Sequence, residues 1–243
     1  MNIIIVKNKQ ELGKKAASVG TQIIKKAIKQ RGYCNVILAT GLSQFQVLEN
    51  LLKEDINWNK IVGFHLDEYI GLPIAHPASF RLYLWKRFIS RLPFPLNNFY
   101  FINADVNPET ECARLGEIIK KHPVDVAFIG IGENGHIAFN DPPADFKTKK
   151  PYIVVQLDKK CKIQQYKEGW FKTIQDVPGR AISMSVQHIL KSKTIICCAP
   201  DKRKAEVIRS AIKEKISPDC PASALQKHPD VYMYLDKESA SLL

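Results

Sequence analysis

The chain lacks the features that would place it at once among membrane, secreted or nucleotide-cofactor proteins. No apolar run approaches the roughly 20 residues of a membrane-spanning helix. Met1 to Val6 leads straight into a charged helical pattern rather than a secretory leader. No Pro-, Ser- or Gly-rich stretch divides the 243 residues, so one domain spanning 1–243 is expected. The six cysteines, Cys34, Cys112, Cys161, Cys197, Cys198 and Cys220, contain no C-x-x-C pair. That pattern argues for a reduced, cytoplasmic protein with neither a disulfide framework nor a zinc site. The six histidines are dispersed, and none pairs at ligand spacing with a cysteine or another histidine, so no metal is expected. GxxxxGK[ST] and a dinucleotide fingerprint are both missing, and no cofactor is expected.

What the chain does have is core material and positive charge. Hydrophobic residues make up 45%, enough for a globular protein, and the formal net charge is +12. The lysines are scattered over helical stretches instead of forming one block with interleaved aromatics. The charge therefore points to steering of an anionic metabolite, with no nucleic-acid and no membrane partner. Both a monomer and a homo-oligomer are compatible with this composition.

The stretch Gly130 to Pro143, GIGENGHIAFNDPP, follows the apolar run Val124 to Ile129, which Asp125 alone interrupts. Such a run reads as a strand buried on both faces of a parallel sheet. Glycines at 130, 132 and 135 end it and are expected to leave backbone N–H groups bare for a sugar or phosphate oxygen. His136 follows, with Asn134 two residues before it and Asp141 five after it. A histidine beside a carboxylate at the carboxyl end of a parallel strand is where open α/β sheets bind ligands, and the carboxylate can fix the imidazole tautomer.

Elsewhere, strands are read at Asn2 to Val6, Asn35 to Ala39, Lys60 to Leu66, Phe99 to Ile102, Tyr152 to Leu157, Ala181 to Val186 and Thr194 to Ala199. Helices are read at Gln10 to Arg31, from Phe45 onward, and at Ser79 to Leu92, Glu109 to Lys121 and Lys202 to Lys213. Lys159 to Phe171 reads ambiguously because Gly169 would spoil a helix, and the lysine-rich loop Ala144 to Pro151 reads as a flap. The alternation predicts an α/β fold, doubly wound, with a mostly parallel sheet and helices on both faces. Strand ends then deliver Thr40-Gly41-Leu42-Ser43 to a helix start, a ready phosphate site or a simple Ser43 N-cap. They also deliver the neighbouring acids Asp67 and Glu68, of which alternation allows only one to face a crevice. Lys204 opens a helix against its dipole, which a bound anion would explain, while Lys202 and Arg203 are expected to point elsewhere.

These motifs resemble the glucosamine-6-phosphate deaminases, also called glucosamine-6-phosphate isomerases. The likeness spans nearly the whole chain: LATGLS at Leu38 to Ser43, LDEYIGLP at Leu66 to Pro73, GIGENGHIAFNDP at Gly130 to Pro142, DVPGRAISM at Asp176 to Met184, KAE at Lys204 to Glu206 and PASALQKHP at Pro221 to Pro229. The resemblance implies conversion of glucosamine 6-phosphate to fructose 6-phosphate and ammonia. It implies that Asp67 moves a proton between C2 and C1 and that His136 opens the sugar ring. Asp141 takes the place of a glutamate that orients the histidine, and Asn134 that of a residue that many members have as aspartate. Gly41, Leu42, Ser43 and Lys204 would hold the 6-phosphate, with Gly130 and Gly132 lining the sugar. Leu42 and Gln44 stand where members commonly have a small residue and proline. The family's phosphate-binding arginine has no clean equivalent, and Lys162 or Lys167 would substitute. Lactone chemistry resembling that of the 6-phosphogluconolactonases, and non-catalytic sugar-phosphate binding, are the alternative readings.

Overall fold

Every residue of Val126–Ile129 is apolar and buried, and a strand with no polar face is stable only in a sheet covered on both sides. The computed structural model describes Met1–Leu243. Its elements run β1 (Asn2–Val6), α1 (Lys9–Arg31), β2 (Cys34–Leu38), α2 (Phe45–Leu51), β3 (Ile61–His65), β4 (Asp67–Tyr69), α3 (Phe80–Arg87), β5 (Asn98–Tyr100) and α4 (Pro108–Lys120), followed by β6 (Val126–Ile129). The second half continues with β7 (Tyr152–Gln156), α5 (Lys159–Lys167), β8 (Arg180–Met184), α6 (Val186–Ile189), β9 (Thr194–Cys198), α7 (Ala205–Lys213) and β10 (Val231–Asp236). Seven strands form one sheet in the order β1-β10-β9-β6-β2-β3-β5. All of its pairings are parallel. No helix is long and apolar enough to cross a membrane.

The two faces of the sheet carry separate cores. Val36, Leu38, Val126 and Phe128 pack beneath α1 and α2, while Ile37, Ala127, Ile129 and Cys197 pack on the opposite side with Leu115 and Ile119 of α4 and Ile208 of α7. The period of two along β2 and β6 thus feeds both layers. At the amino end of β6, Asp125 replaces an apolar side chain because it ties the sheet's lower edge. It accepts from the Asn35 N–H at 2.9 Å and from Lys193 Nζ at 3.0 Å, and it pairs with Arg31.

Several elements differ from the sequence reading. Ala181 to Val186, read as one of the strands, stays out of the main sheet. Instead β8 lies antiparallel between β4 and β7 in a second, three-stranded sheet, whose aromatic core contains Tyr69, Phe80, Phe139 and Phe171. β10 lies outside every strand read from the sequence, yet it sits between β1 and β9 with Val231, Met233 and Leu235 fully buried. The helix expected over Ser79 to Leu92 ends at Arg87 and continues as a 3-10 turn at Ile89–Arg91. The loop Ala144 to Pro151, read as a flap, is tied at both ends: Gln187 donates to the Phe146 carbonyl at 2.8 Å and Ser185 to that of Lys150 at 2.7 Å.

Glycines set how closely helices approach the sheet. A Cβ on Gly20 of α1 would run into the ring of Phe128, whereas one on Gly116 of α4 would meet only Pro151, at 3.5 Å. Gly20→Ala is therefore expected to destabilise the protein, because overpacking of about 1–3 kcal/mol exceeds the helix-propensity gain of about 1 kcal/mol. Gly116→Ala, which keeps the gain without the clash, should raise the urea midpoint. Shifts of the same sign in both variants would show that α1 can slide away from β6.

Candidate active site

From β2 the chain moves outward through β3 to β5, and from β6 it moves the other way through β9 to β10. The carboxyl ends of β2 and β6 therefore flank the point where the winding reverses, and a crevice opens there. The cleft at this position is lined by Thr40 to Ser43 after β2, Asp67 after β3, Gly130 to Gly132 and His136 after β6, and Pro200, Asp201, Arg203 and Lys204 after β9. Helix α5 closes one side with Gln164, Gln165 and Glu168.

Asp67 and Glu68 open β4 and are buried in different surroundings. The Glu68 carboxylate caps α3, accepting from the N–H groups of Phe80 (3.1 Å) and Arg81 (2.8 Å) and from the Ser79 hydroxyl (3.0 Å). Asp67 is only 6% exposed, faces the cleft and receives no hydrogen bond from the protein. Burial, reinforced by the charge of Glu68, holds its carboxyl well above the ordinary range. A carboxylate without donors in a desolvated cleft is a strong base toward a substrate proton.

His136 stands over Gly132, whose missing side chain makes room for the ring: a Cβ there would overlap the imidazole. Its Nδ1 lies 3.1 Å from Asp141 Oδ1, and the ring lines the cleft. Burial raises the Asp141 carboxyl, but hydrogen bonds and charge from His136, with donors from Asn134 and the Asp158 N–H, outweigh it and bring it below its ordinary value. The loop is anchored by Asn140, whose amide donates at 2.8 Å to the carbonyls of both Ile137 and Met184, and by the Phe139 N–H, which donates to Ser183 Oγ at 3.0 Å. Asn134 makes no hydrogen bond to the imidazole. Its amide nitrogen donates to Asp141 Oδ1 at 2.9 Å and Asp158 Oδ2 at 3.0 Å, and its oxygen accepts from the His136 N–H at 3.1 Å.

The opposite end of the cleft suits an anion. Gly41 turns the chain at φ 89°, and a 3-10 turn at Leu42–Gln44 leads into α2. That arrangement leaves the N–H groups of Leu42 and Ser43 at a helical start, where no preceding turn supplies carbonyls. Ser43 is not an N-cap: its hydroxyl accepts from Gln44 Nε2 at 3.2 Å, and the same amide donates to the Ile129 carbonyl at 3.0 Å. A Cβ on Gly130 would come within 2.7 Å of Ser43 Oγ, so this glycine lets the two loops meet. Gly132 does not offer the bare N–H expected of it, since it donates to the His136 carbonyl at 3.0 Å. Lys204 is 7% exposed, forms no ion pair or side-chain hydrogen bond, and lines the cleft. Burial pulls its ammonium below the ordinary lysine range, despite the opposing charge of Glu168 and Asp201.

Arg203, expected to point away, reaches the cleft rim from the 3-10 turn Lys202–Lys204. There it pairs with Glu133 at 2.6 Å. Lys162 does not line the cleft; α5 presents Gln164, Gln165 and Glu168 instead, and Lys162 lies roughly 200° around the helix from Gln164. Lys9, Arg203, Asp158 and the α5 residues were missed as site residues. Only Asp158 carries a sequence signal, as an acidic residue capping a helix, which its bond from the Cys161 N–H shows.

The fold also brings Cys161 next to His136 and Asp141, with three ligand-type atoms within 4.8 Å of one another, a proximity that residue spacing does not reveal. Burial and the neighbouring carboxylates hold the Cys161 thiol well above its ordinary range. A wider groove of about 1230 Å³ between α4 and β7 lies beyond Asp141 and Asp158. It contains neither Asp67, His136 nor Lys204, which come together in the cleft.

An aspartate whose carboxyl is raised in the folded state favours folding only below the carboxylate range of the unfolded chain, and that contribution is lost as pH rises. Asp67→Asn should therefore raise the melting temperature at pH 7, and the two proteins should converge below about pH 4. A variant less stable than the parent at neutral pH would show that the Asp67 carboxylate is satisfied in the fold.

Comparison with known proteins agrees with this geometry. The family model described as glucosamine-6-phosphate isomerases/6-phosphogluconolactonase matches residues 7–233. A glucosamine-6-phosphate deaminase of Thermoanaerobacter pseudethanolicus is 35% identical over 249 residues, covering 100% of this chain and 95% of the relative. One of Listeria monocytogenes is 37% identical over 243 residues, with 100% of both chains covered. Among solved structures, a monomeric glucosamine-6-phosphate deaminase superposes with a TM-score of 0.92 at 32% identity over 100% of both chains. The 6-phosphogluconolactonase of Thermotoga maritima shares the fold, with a TM-score of 0.81 at 16% identity over 97% of this chain and 99% of that one. The family model over residues 7–233 and full-length relatives above 30% identity make this protein a member of the glucosamine-6-phosphate isomerase/6-phosphogluconolactonase family.

Proposed function

We propose that the chain catalyses the isomerising deamination of an aminosugar phosphate, converting glucosamine 6-phosphate to fructose 6-phosphate and ammonia. The observation that carries this reading is the Asp67 carboxylate, buried, facing the cleft and without a donor. In the open-chain sugar the C1 aldehyde acidifies the C2 proton. Asp67 takes that proton and returns it to C1 while the C2 ammonium gives up a proton and the C1 oxygen gains one, leaving an iminium at C2 and a hydroxyl at C1. Water adds to the iminium, the C–N bond breaks and ammonia leaves the C2 ketone. His136, oriented by Asp141, handles the proton on the ring oxygen when the pyranose opens. The 6-phosphate lies against Ser43, the N–H groups of Leu42 and Ser43, and Lys204, where a dianion would complete an otherwise unpaired buried ammonium.

Lactone hydrolysis is the weaker reading, because attack on a lactone carbonyl requires no base at C2 and would leave the desolvated Asp67 without a purpose. The full-length identities above 30% are to deaminases, whereas the lactonase similarity at 16% shows the fold alone. The six free cysteines support a cytoplasmic enzyme of amino sugar metabolism. Every group in the proposed steps belongs to one chain.

Purified protein with glucosamine 6-phosphate should release ammonia and fructose 6-phosphate in equal amounts; hydrolysis of 6-phosphogluconolactone without ammonia release from the aminosugar would overturn the reading. Loss of a buried charged partner of a ligand costs about 2–5 kcal/mol. Lys204→Ala should accordingly weaken fructose 6-phosphate binding at least tenfold, whereas Lys202→Ala, at an exposed position, should change it little. Equal small effects in a calorimetric titration would remove Lys204 from the phosphate site.

A further inference from the structure

The side chain of Asn134 sits between two carboxylates, and the hydrogen bonds leave its orientation no choice. Its amide nitrogen gives one hydrogen to Asp141 Oδ1 and the other to Asp158 Oδ2, while its oxygen receives the His136 N–H. Flipping the amide would set acceptor against acceptor twice. Asp158 is bound to the same centre a second way, since its own N–H donates to Asp141 Oδ2 at 2.9 Å. Its other carboxylate oxygen caps α5 through the Cys161 N–H. Asp141, which orients the His136 ring, is thus held on one oxygen through Asn134 and on the other through Asp158.

We propose that Asp158 is a positioning residue of the proton-transfer site and that Asn134 and Asp158 form a matched pair, the amide at 134 being required by the carboxylate at 158. This inference rests on the deaminase reading for its kinetic consequences and on the hydrogen-bond geometry alone for its structural ones. An aspartate at 134 would place a third carboxylate against Asp141 and Asp158, within the distances now spanned by hydrogen bonds. Like charges so close cannot all ionise in place, so one must take up a proton or swing away, and Asp141 keeps its hold on His136 only if the change falls on residue 134 or 158. The second carboxylate that Asn134 bridges to Asp141 thus comes from the start of α5. The same helix presents Gln164, Gln165 and Glu168 to the cleft, so one residue sets both the histidine's carboxylate and the wall facing the substrate.

The test is a double-mutant cycle in the full-length enzyme. Asp158→Ser keeps a side-chain cap on α5 and the main-chain donor to Asp141 while removing only the carboxylate that faces Asn134. It should lower kcat several-fold with KM nearly unchanged and little change in melting temperature. Asn134→Asp should lower kcat at least tenfold in the parent but cost no more than a third as much, in fold terms, in the Asp158→Ser background. The melting temperature, read without substrate, should show the same coupling: a clear drop for Asn134→Asp in the parent and a smaller one when Asp158→Ser is already present. Equal fold-changes and equal melting shifts in both backgrounds would overturn the pairing. If the parent releases no ammonia from aminosugar phosphates, the deaminase reading fails by itself, and the melting data still decide the pairing.

Discussion

A carboxylate buried without a donor or a cation costs several kcal/mol, and chains keep such a group only where surrounding structure forces it. Asp67 is held that way from two directions. Strand β4 pairs it with Ser183 of β8, and the residue beside it, Glu68, is locked into the cap of α3 by Ser79, Phe80 and Arg81. With Glu68 fixed, the alternation of the strand leaves Asp67 no direction but the cleft. The second sheet, carrying the aromatic cluster of Tyr69, Phe80 and Phe139, keeps that strand from relaxing toward water.

The rest of the cleft follows from how closely its loops can approach. Gly132 admits the His136 ring and Gly130 admits the Ser43 hydroxyl, so the glycines act through the volume they leave empty more than through free N–H groups. Gln44 then ties the loop after β2 to the end of β6. Under the proposed function two jobs separate along one crevice: proton transfers carried by Asp67 and by the Asp141-oriented His136, and anion binding by Ser43 and Lys204. The buried ammonium of Lys204 and the buried carboxyl of Asp67 are both costly in the fold, and under the proposed function a bound phosphate offsets the first.

Much of this was legible in the residues because periodicity and turn chemistry are local. Gly32 stops α1 in the left-handed conformation at φ 81°, and the strands at Cys34–Leu38 and Thr194–Cys198 lie where their apolar runs put them. What was not legible is set by distant pairing. The switch of β8 into a small antiparallel sheet depends on β4 and β7, over a hundred and about thirty residues away in the chain. The partners of Asn134 were hidden for the same reason: Asp141 and Asp158 arrive from a turn and a helix start. The Cys161 thiol against Asp141 and the α5 wall at Gln164 likewise arise only once the chain folds back. Lys162 could not be told from Gln164 or Gln165 as a cleft residue, because the weakly patterned sequence of α5 does not show which side is covered.

The central claim is that one aspartate, made a strong base by burial, carries the carbon-bound proton. Its most direct test is the turnover of Asp67→Asn on glucosamine 6-phosphate, with fructose 6-phosphate affinity measured on the same preparation. General acid–base groups contribute about 10²–10⁴-fold. The variant should lose turnover by at least that lower factor while its affinity for the ketose phosphate stays within about twofold of the parent. Retention of more than about a tenth of the parent rate would contradict the account, for another residue would then be taking the proton.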